Sequence, residues 1–253
     1  MQYHKRIGIW IRVIKSFLLS FWGIKGKVYT AEETVNELLN KRSLIRFGDG
    51  EFGIYRGKDI HYQKWSEELR EAFEDIKREY ETDNQNCSFL LAVPKRFMTV
   101  NGFQLMKKRV YVSSWSESRL DFKRNFRHNI PYGDAFLFEK NNKEIYSRIW
   151  SDAACPKNVI FIHNNPVFAE CFANTYGKKV TFIQCPSKDA FSCIDKLEES
   201  ILNTVSGNAW SNDGFMVTVS AGPAGKVLAH RLSKRGYWCI DAGHCWDDPL
   251  EGI

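Results

Sequence analysis

Four short runs, Asn158 to His163 (NVIFIH), Lys179 to Gln184 (KVTFIQ), Phe215 to Ser220 (FMVTVS) and Tyr237 to Asp241 (YWCID), are almost continuously apolar. A segment of helical periodicity or turn-and-helix grammar separates each from the next. An apolar run of five or six residues without a polar alternate reads as a strand covered on both faces. Strands of that kind joined by helices lie parallel, because a crossover helix carries the chain back to the starting edge of the same sheet. The pattern therefore predicts an α/β fold: a single Rossmann-like domain, mostly parallel, with helices on both faces. The 253 residues are 43% hydrophobic and include 18 Phe, 10 Tyr and 8 Trp, enough for one sizeable core. That composition excludes a disordered tail, a collagen-like chain and a minimal disulfide scaffold.

The N-terminal half continues the alternation. Thr30 and Glu33 have capping-box spacing and open a helix running to Asn40. Ser43 to Phe47 is a strand ending in the turn Gly48-Asp49-Gly50-Glu51. A charged helix is expected over Gln63 to Tyr80, and strands over Ser88 to Val93, Arg109 to Ser114 and Asp134 to Phe138. Helices are expected over Ser116 to His128 and Lys143 to Ala153. Further on, helices fall at Pro166 to Tyr176 with Gly177 as C-cap, near Asp189 to Thr204, and at Pro223 to Lys234 before Gly236. With no repeat or long linker, residues 27–253 read as one domain, preceded by a basic amphipathic helix in residues 1–26.

That leading segment, Ile7 to Ile24, is apolar but interrupted by Arg12 and Lys15, which argues against a bilayer span. On a helix, Ile7, Trp10, Ile11, Ile14, Phe17, Leu18 and Phe21 share a stripe flanked by Lys5, Arg6, Arg12 and Lys15. Such a helix either lies in a membrane interface or packs on the protein's own core. Lys and Arg total 36 against 30 acids, a net charge of +6. This modest excess suits a phosphorylated small molecule or an anionic membrane surface; no basic run interleaved with aromatics points to nucleic acid. The seven cysteines are odd in number and form no C-x-x-C pair, so they read as reduced thiols of a cytoplasmic protein without zinc-ligand spacing.

In an open parallel sheet, ligands bind beyond the carboxyl ends of the strands, and three loops there carry chemistry. The first is Arg46 to Glu51. Gly48 and Gly50 allow close backbone approach, and in an extended segment Asp49 and Glu51 point the same way and together hold one Mn²⁺ or Mg²⁺. Arg46 offers a fork to a phosphate. The same spacing suits an acidic turn in solvent or an S-adenosylmethionine loop. The second is Ser220 to Lys226, where amides near Gly222 and Gly225 at a helix N-terminus suit an anion, as they also suit ordinary helix-start grammar. The third runs from Asp241 through Gly243 to His244 and on to Asp247 and Asp248, a His beside carboxylates. Ser187 and Lys188 follow another strand within reach of a phosphate.

Four ordered blocks then stand out: IRFGDGE (Ile45 to Glu51), YGDAF (Tyr132 to Phe136), CPSKDAF (Cys185 to Phe191) and SAGPAGKVLAHRLSKRGYWCIDAGH (Ser220 to His244). Together, over roughly Lys27 to Trp246, they resemble the bacterial glycosyltransferases of domain of unknown function 1792, the type-D glycosyltransferase fold. The resemblance implies a hexosyltransferase using a nucleotide-sugar donor such as UDP-glucose. It implies a divalent metal on a D-x-E motif, here Asp49 and Glu51, and a glycan acceptor in surface glycoprotein or polysaccharide biosynthesis. Nucleotide-sugar contacts then fall to Arg46, Gly48, Gly50, Ser187, Lys188, Gly222 and Gly225, and an acceptor base to His244 or Asp241. The partners expected are the donor, a protein-bound or lipid-linked acceptor, peripheral contact with the inner membrane face and a second copy in a homo-oligomer. Two readings compete: a methyltransferase using the Gly48 and Gly50 loop, and a non-catalytic membrane-associated scaffold using the first helix.

Overall fold

The computed structural model describes residues 2–107 and 112–246. In chain order the elements are α1 (Gln2–Leu19), α2 (Ala31–Leu39), β1 (Ser43–Arg46), α3 (Asp49–Tyr55), α4 (Glu67–Thr82), β2 (Phe89–Val93), α5 (Lys95–Met98), α6 (Gly102–Lys107) and α7 (Val112–Asn125). There follow β3 (Gly133–Asp134), α8 (Lys143–Ser151), β4 (Asn158–His163), α9 (Pro166–Tyr176), β5 (Lys179–Gln184), α10 (Ile194–Gly207), β6 (Phe215–Val219), α11 (Gly222–Lys234) and β7 (Cys239–Asp241). Among the described residues the seven strands form one sheet in the order β3-β2-β1-β7-β6-β4-β5, every pair parallel.

The apolar runs explain that order. β1, β2, β4, β6 and β7 are buried along nearly their whole length, as strands with helices on both faces must be, whereas the edge strand β5 is half-buried. Aromatic side chains fill the space between layers. Trp150 is fully buried and donates its indole N–H to Thr218 Oγ1 at 3.1 Å, so burial leaves no polar atom of that ring unpaired. The Thr30 capping box forms as expected, with Thr30 N donating to Glu33 Oε2 at 2.8 Å, and Gly177 closes α9 in the left-handed region. All seven cysteines are free thiols.

Local differences have physical causes. The Asp134 to Phe138 run pairs only through Gly133 and Asp134; Asp134 Oδ1 then accepts the Phe136 amide at 3.1 Å and turns the chain out of the sheet. The helix expected from Gln63 begins at Glu67, because Ser66 Oγ accepts the Leu69 amide at 3.2 Å and sets the N-cap there. Near Asp189 a short 3-10 turn, Ala190–Cys193, precedes α10. The expected strand at Arg109 to Ser114 lies partly outside the described residues, and from Val112 onward the chain is helical. Asp247 and Asp248 also lie outside them.

Candidate active site

The carboxyl ends of all seven strands open onto one cleft of about 290 Å³. Each contributes the residues just beyond it: Gly48 to Glu51 after β1, Pro94 after β2, Ala135 and Phe136 after β3, and His163 and Asn164 at β4. Pro186 and Ser187 follow β5, Ser220 to Gly222 follow β6, and Gly243 and His244 follow β7. This is where an open parallel sheet places its ligand.

The acidic turn is built differently from the extended reading. Asp49 and Glu51 lie in the first turn of α3, where negative charge is favoured at the helix N-terminus. Glu51 Oε2 accepts the Gly48 amide at 2.7 Å, which closes that helix end. Two positions along a helix are turned by about 200°, so the two side chains leave α3 in different directions, yet both line the cleft. Glu51 is 5% exposed and faces the floor, with Oε1 3.5 Å from Lys226 Nζ, while Asp49 is solvent-exposed at the cleft mouth. The crowded walls and the nearby Glu51 charge raise the Asp49 pKa above the ordinary aspartate value.

Beneath the floor lies a buried cluster of charges. Lys226 Nζ is 3.1 Å from Asp241 Oδ2, and Asp241 is completely buried. Burial works against the Lys226 charge, but Asp241 and Glu51 outweigh it and hold the pKa above the ordinary lysine value. The Arg46 amide donates to Asp241 Oδ2 at 3.2 Å, its Nε to the Asp241 carbonyl at 2.8 Å and its Nη1 to the Ala135 carbonyl at 3.0 Å. The guanidinium also sits 5.1 Å from the Phe138 ring centroid. It therefore ties the ends of β1, β7 and β3 together at the cleft wall. Gly243 has φ +53°, and a side chain there would strike Arg46 Nη2. Gly222 has φ +54°, and a Cβ there would lie 2.8 Å from the Tyr62 ring.

Of the residues expected at a site, the cleft brings together Arg46, Gly48, Asp49, Gly50, Glu51, Ser187, Gly222 and His244. Three lie elsewhere. Asp241 is under the floor as counter-ion to Lys226 and Arg46. Gly225 is on the buried face of α11 against Val219, and Lys188 is exposed outside the cleft lining. Tyr62, Trp115 and Phe136 complete the walls and were not legible as site residues. Tyr62 lies in the turn just ahead of the segment read as helix, and burial pushes its phenol up to about 12, so it stays neutral. Its ring meets His244 edge to face at 6.2 Å. Trp115, on α7, stacks on Phe97 at 4.2 Å.

With this geometry, residues 44–248 match the family described as the glycosyltransferase GT-D fold. The chain belongs to that family. Among curated proteins, this GT-D chain is 26% identical over 241 residues to Glycosyltransferase GlyD of Streptococcus pneumoniae serotype 4, covering 84% of this chain and 26% of that protein. It is 23% identical over 234 residues to the Probable glycosyl transferase Gly of Streptococcus gordonii, covering 86% and 32%. It thus spans between a quarter and a third of the curated relatives it matches. Among solved structures it resembles domain of unknown function 1792 at TM-score 0.68 and 22% identity, over 92% of this chain and 82% of that one. A second structure, described as a new glycosyltransferase from Streptococcus sanguinis, matches at 0.68 and 22%, over 88% and 83%.

The donor set of the GT-D cleft fits a divalent cation that arrives with a phosphate. Charged residues in the lining are Arg46, Lys226, Asp49 and Glu51, and Asp241 lies directly below. Two cations against three carboxylates leave a residual negative charge that repels a bare diphosphate. Hard carboxylate oxygens suit Mg²⁺ or Mn²⁺ with phosphate and water filling the other positions. Among the described residues no group of three His, Cys, Asp or Glu makes a complete cage, so Asp49 and Glu51 would hold such an ion only in part.

Proposed function

We propose that this GT-D chain moves a hexose, glucose favoured, from a nucleoside diphosphate sugar, uridine favoured, to a hydroxyl of a glycan acceptor. The observation that carries this reading is the ammonium of Lys226 sealed between Glu51 and Asp241 below the Ser220 to Gly222 turn, at the N-terminus of α11. A diphosphate over that turn meets backbone amides, the positive end of a 13-residue helix and a fixed cation together. These charges are in place before reaction and need no reorganisation as the anomeric C–O bond breaks.

A divalent cation on Asp49 and Glu51 would supply Lewis-acid neutralisation of the departing diphosphate. The remaining roles follow from position. Arg46, fixed by two carbonyls, keeps the ends of β1, β3 and β7 in register at the cleft wall. Trp115 and Phe136 offer flat apolar faces for a base or a sugar ring. His244, which lines the cleft, would take the acceptor hydroxyl proton, and Asp241 would act as a positioning residue for Lys226 and Arg46.

Titration calorimetry with UDP-glucose, other nucleotide sugars and S-adenosylmethionine, each with and without Mn²⁺, tests the reading. The expected result is a nucleotide sugar that binds tightly only with metal and is released as nucleoside diphosphate when a glycan acceptor is added. Metal-independent binding of S-adenosylmethionine, with no nucleotide sugar bound, would overturn it in favour of a methyltransferase.

A further inference from the structure

α1 rests on α7 through a narrow face of Val13, Ser16 and Ser20, all buried, with Phe17 partly so. Two serines and a valine are a poor apolar seal, and polar contacts hold the helix instead. Arg119, 2% exposed, donates from Nη2 to the Ser20 carbonyl at 2.6 Å and the Val100 carbonyl at 2.8 Å. Lys123 Nζ donates to the Leu19 carbonyl at 3.2 Å. These cations satisfy carbonyls at the C-terminal end of α1, where positive charge is favoured. Just beyond, the Gly102 amide donates to the Phe21 carbonyl at 2.6 Å, and any side chain at Gly102 would collide with the Phe21 ring. The rotation of α1 about its axis is therefore set by its anchor.

That rotation turns the apolar stripe outward. Trp10, Ile11, Ile14 and Leu18 are 54–63% exposed. Trp22 continues the stripe at 66%, and Phe103 and Met106 of α6 extend it at 65% and 54%. Phe21 and Phe103 meet edge to face at 5.0 Å, which joins the two parts. Scattered exposed apolar residues are ordinary; a contiguous band with two Trp and a Phe marks a binding surface.

Charge indicates what the surface binds. Residues 1–31 contain no Asp or Glu, and neither do residues 95–116, which carry α5, α6 and the start of α7. The first segment holds Lys5, Arg6, Arg12, Lys15, Lys25 and Lys27; the second holds Lys95, Arg96, Lys107, Lys108 and Arg109. Those eleven bases exceed the +6 of the whole chain, so the remainder carries a net negative charge. Glu117, which pairs with Arg12 of α1, is also held by Lys58. Lys15, Lys25 and Lys107 are exposed around the apolar band.

We propose that α1 and α6 form a surface that docks into the headgroup region of an anionic bilayer, with Trp10, Leu18, Trp22 and Phe103 inserted and the surrounding lysines on lipid phosphates. A globular partner would need acids and a matching groove, whereas a bilayer offers a broad negative plane above an apolar layer. No described helix is long and apolar enough to cross the membrane, so the contact is one of lying on it. The proposal is independent of the transferase reading.

The test is co-sedimentation of the whole 253-residue chain with vesicles of phosphatidylcholine alone or mixed with phosphatidylglycerol. Binding is expected on the anionic vesicles and should weaken with salt. Lys15→Gln and Lys107→Gln should each reduce it about fivefold. Trp10→Ser combined with Leu18→Ser should reduce it more than tenfold, because both apolar side chains are withdrawn from lipid. Both residues are exposed, so an unchanged melting temperature confirms that the variant is folded. Absence of binding to either vesicle, or binding indifferent to lipid charge and to the lysine variants, overturns the proposal. It is equally overturned by sedimentation equilibrium showing a dimer that the Trp10 and Leu18 substitutions dissolve, since a second copy is then the occupant.

Discussion

Lys226 Nζ lies 3.1 Å from Asp241 Oδ2; Asp241 is completely buried under the cleft that the seven strand ends surround, and Lys226, almost wholly buried, reaches the cleft lining. Removing one partner strands the other as a buried charge, which typically costs about 3–5 kcal/mol. Lys226→Met should therefore lower unfolding stability by about that amount in urea titrations. The double variant Lys226→Met, Asp241→Asn should recover part of the stability and none of the nucleotide binding. Stability recovered together with binding would show that the pair serves only the fold.

One substitution separates the cap that Glu51 forms from the metal-holding role proposed for it. Glu51→Gln keeps an oxygen to accept the Gly48 amide, so the first turn of α3 should survive, yet it removes the charge proposed to hold metal. Melting temperature should stay close to wild type while Mn²⁺-dependent donor binding falls by about tenfold or more, a loss of ~1.4 kcal/mol. Chelation should lower wild-type transfer and have little further effect on the variant. Glu51→Ala should also lose the cap, at about 1 kcal/mol in the unfolding curve.

The acidity of Asp49 gives a pH signature. Its folded pKa is raised, so the stability it contributes is present at low pH and is lost as pH rises through that folded value. Asp49→Asn should thus melt at or slightly above the wild-type temperature at neutral pH, the effect kept small by solvent at this exposed residue, and the difference should vanish at about pH 3, where aspartate is protonated in both states. The same variant should lose metal-dependent transfer. A lower melting temperature at pH 7 would contradict the raised pKa.

Gly243 and Gly57 make a controlled comparison, since both have positive φ, +53° and +73°, and only Gly243 abuts another residue's side chain. Gly57→Ala should cost about 1–2 kcal/mol from backbone conformation alone. Gly243→Ala should cost more, and should displace Arg46 and weaken donor binding, read by calorimetry beside the melting curve.

How far the sequence disclosed this depends on the range of the forces involved. β4 and β5 and the helix α9 between them are marked by unbroken apolar runs, Pro166 and Gly177, and their observed limits match the sequence reading. Glu51 and Asp49 line the cleft as the sequence suggests, but in a helical rather than an extended turn. The turn Gly48 to Glu51 looks extended until one sees that Glu51 caps the helix it begins. Asp241 was read as facing ligand because nothing local reveals that Lys226, fifteen positions earlier, lies against it. Tyr62, in irregular chain, and Trp115, on α7, reach the cleft through tertiary packing, and no periodicity announces them.

Each strand lends the residues just beyond its carboxyl end to the lining of the cleft. The rim is thus a ring of separate panels on one rigid frame. Rewriting a single panel can change which sugar or acceptor is admitted while Lys226, Asp241 and the capped acidic turn stay as they are, so substrate preference in such a scaffold can drift without the sheet being rebuilt.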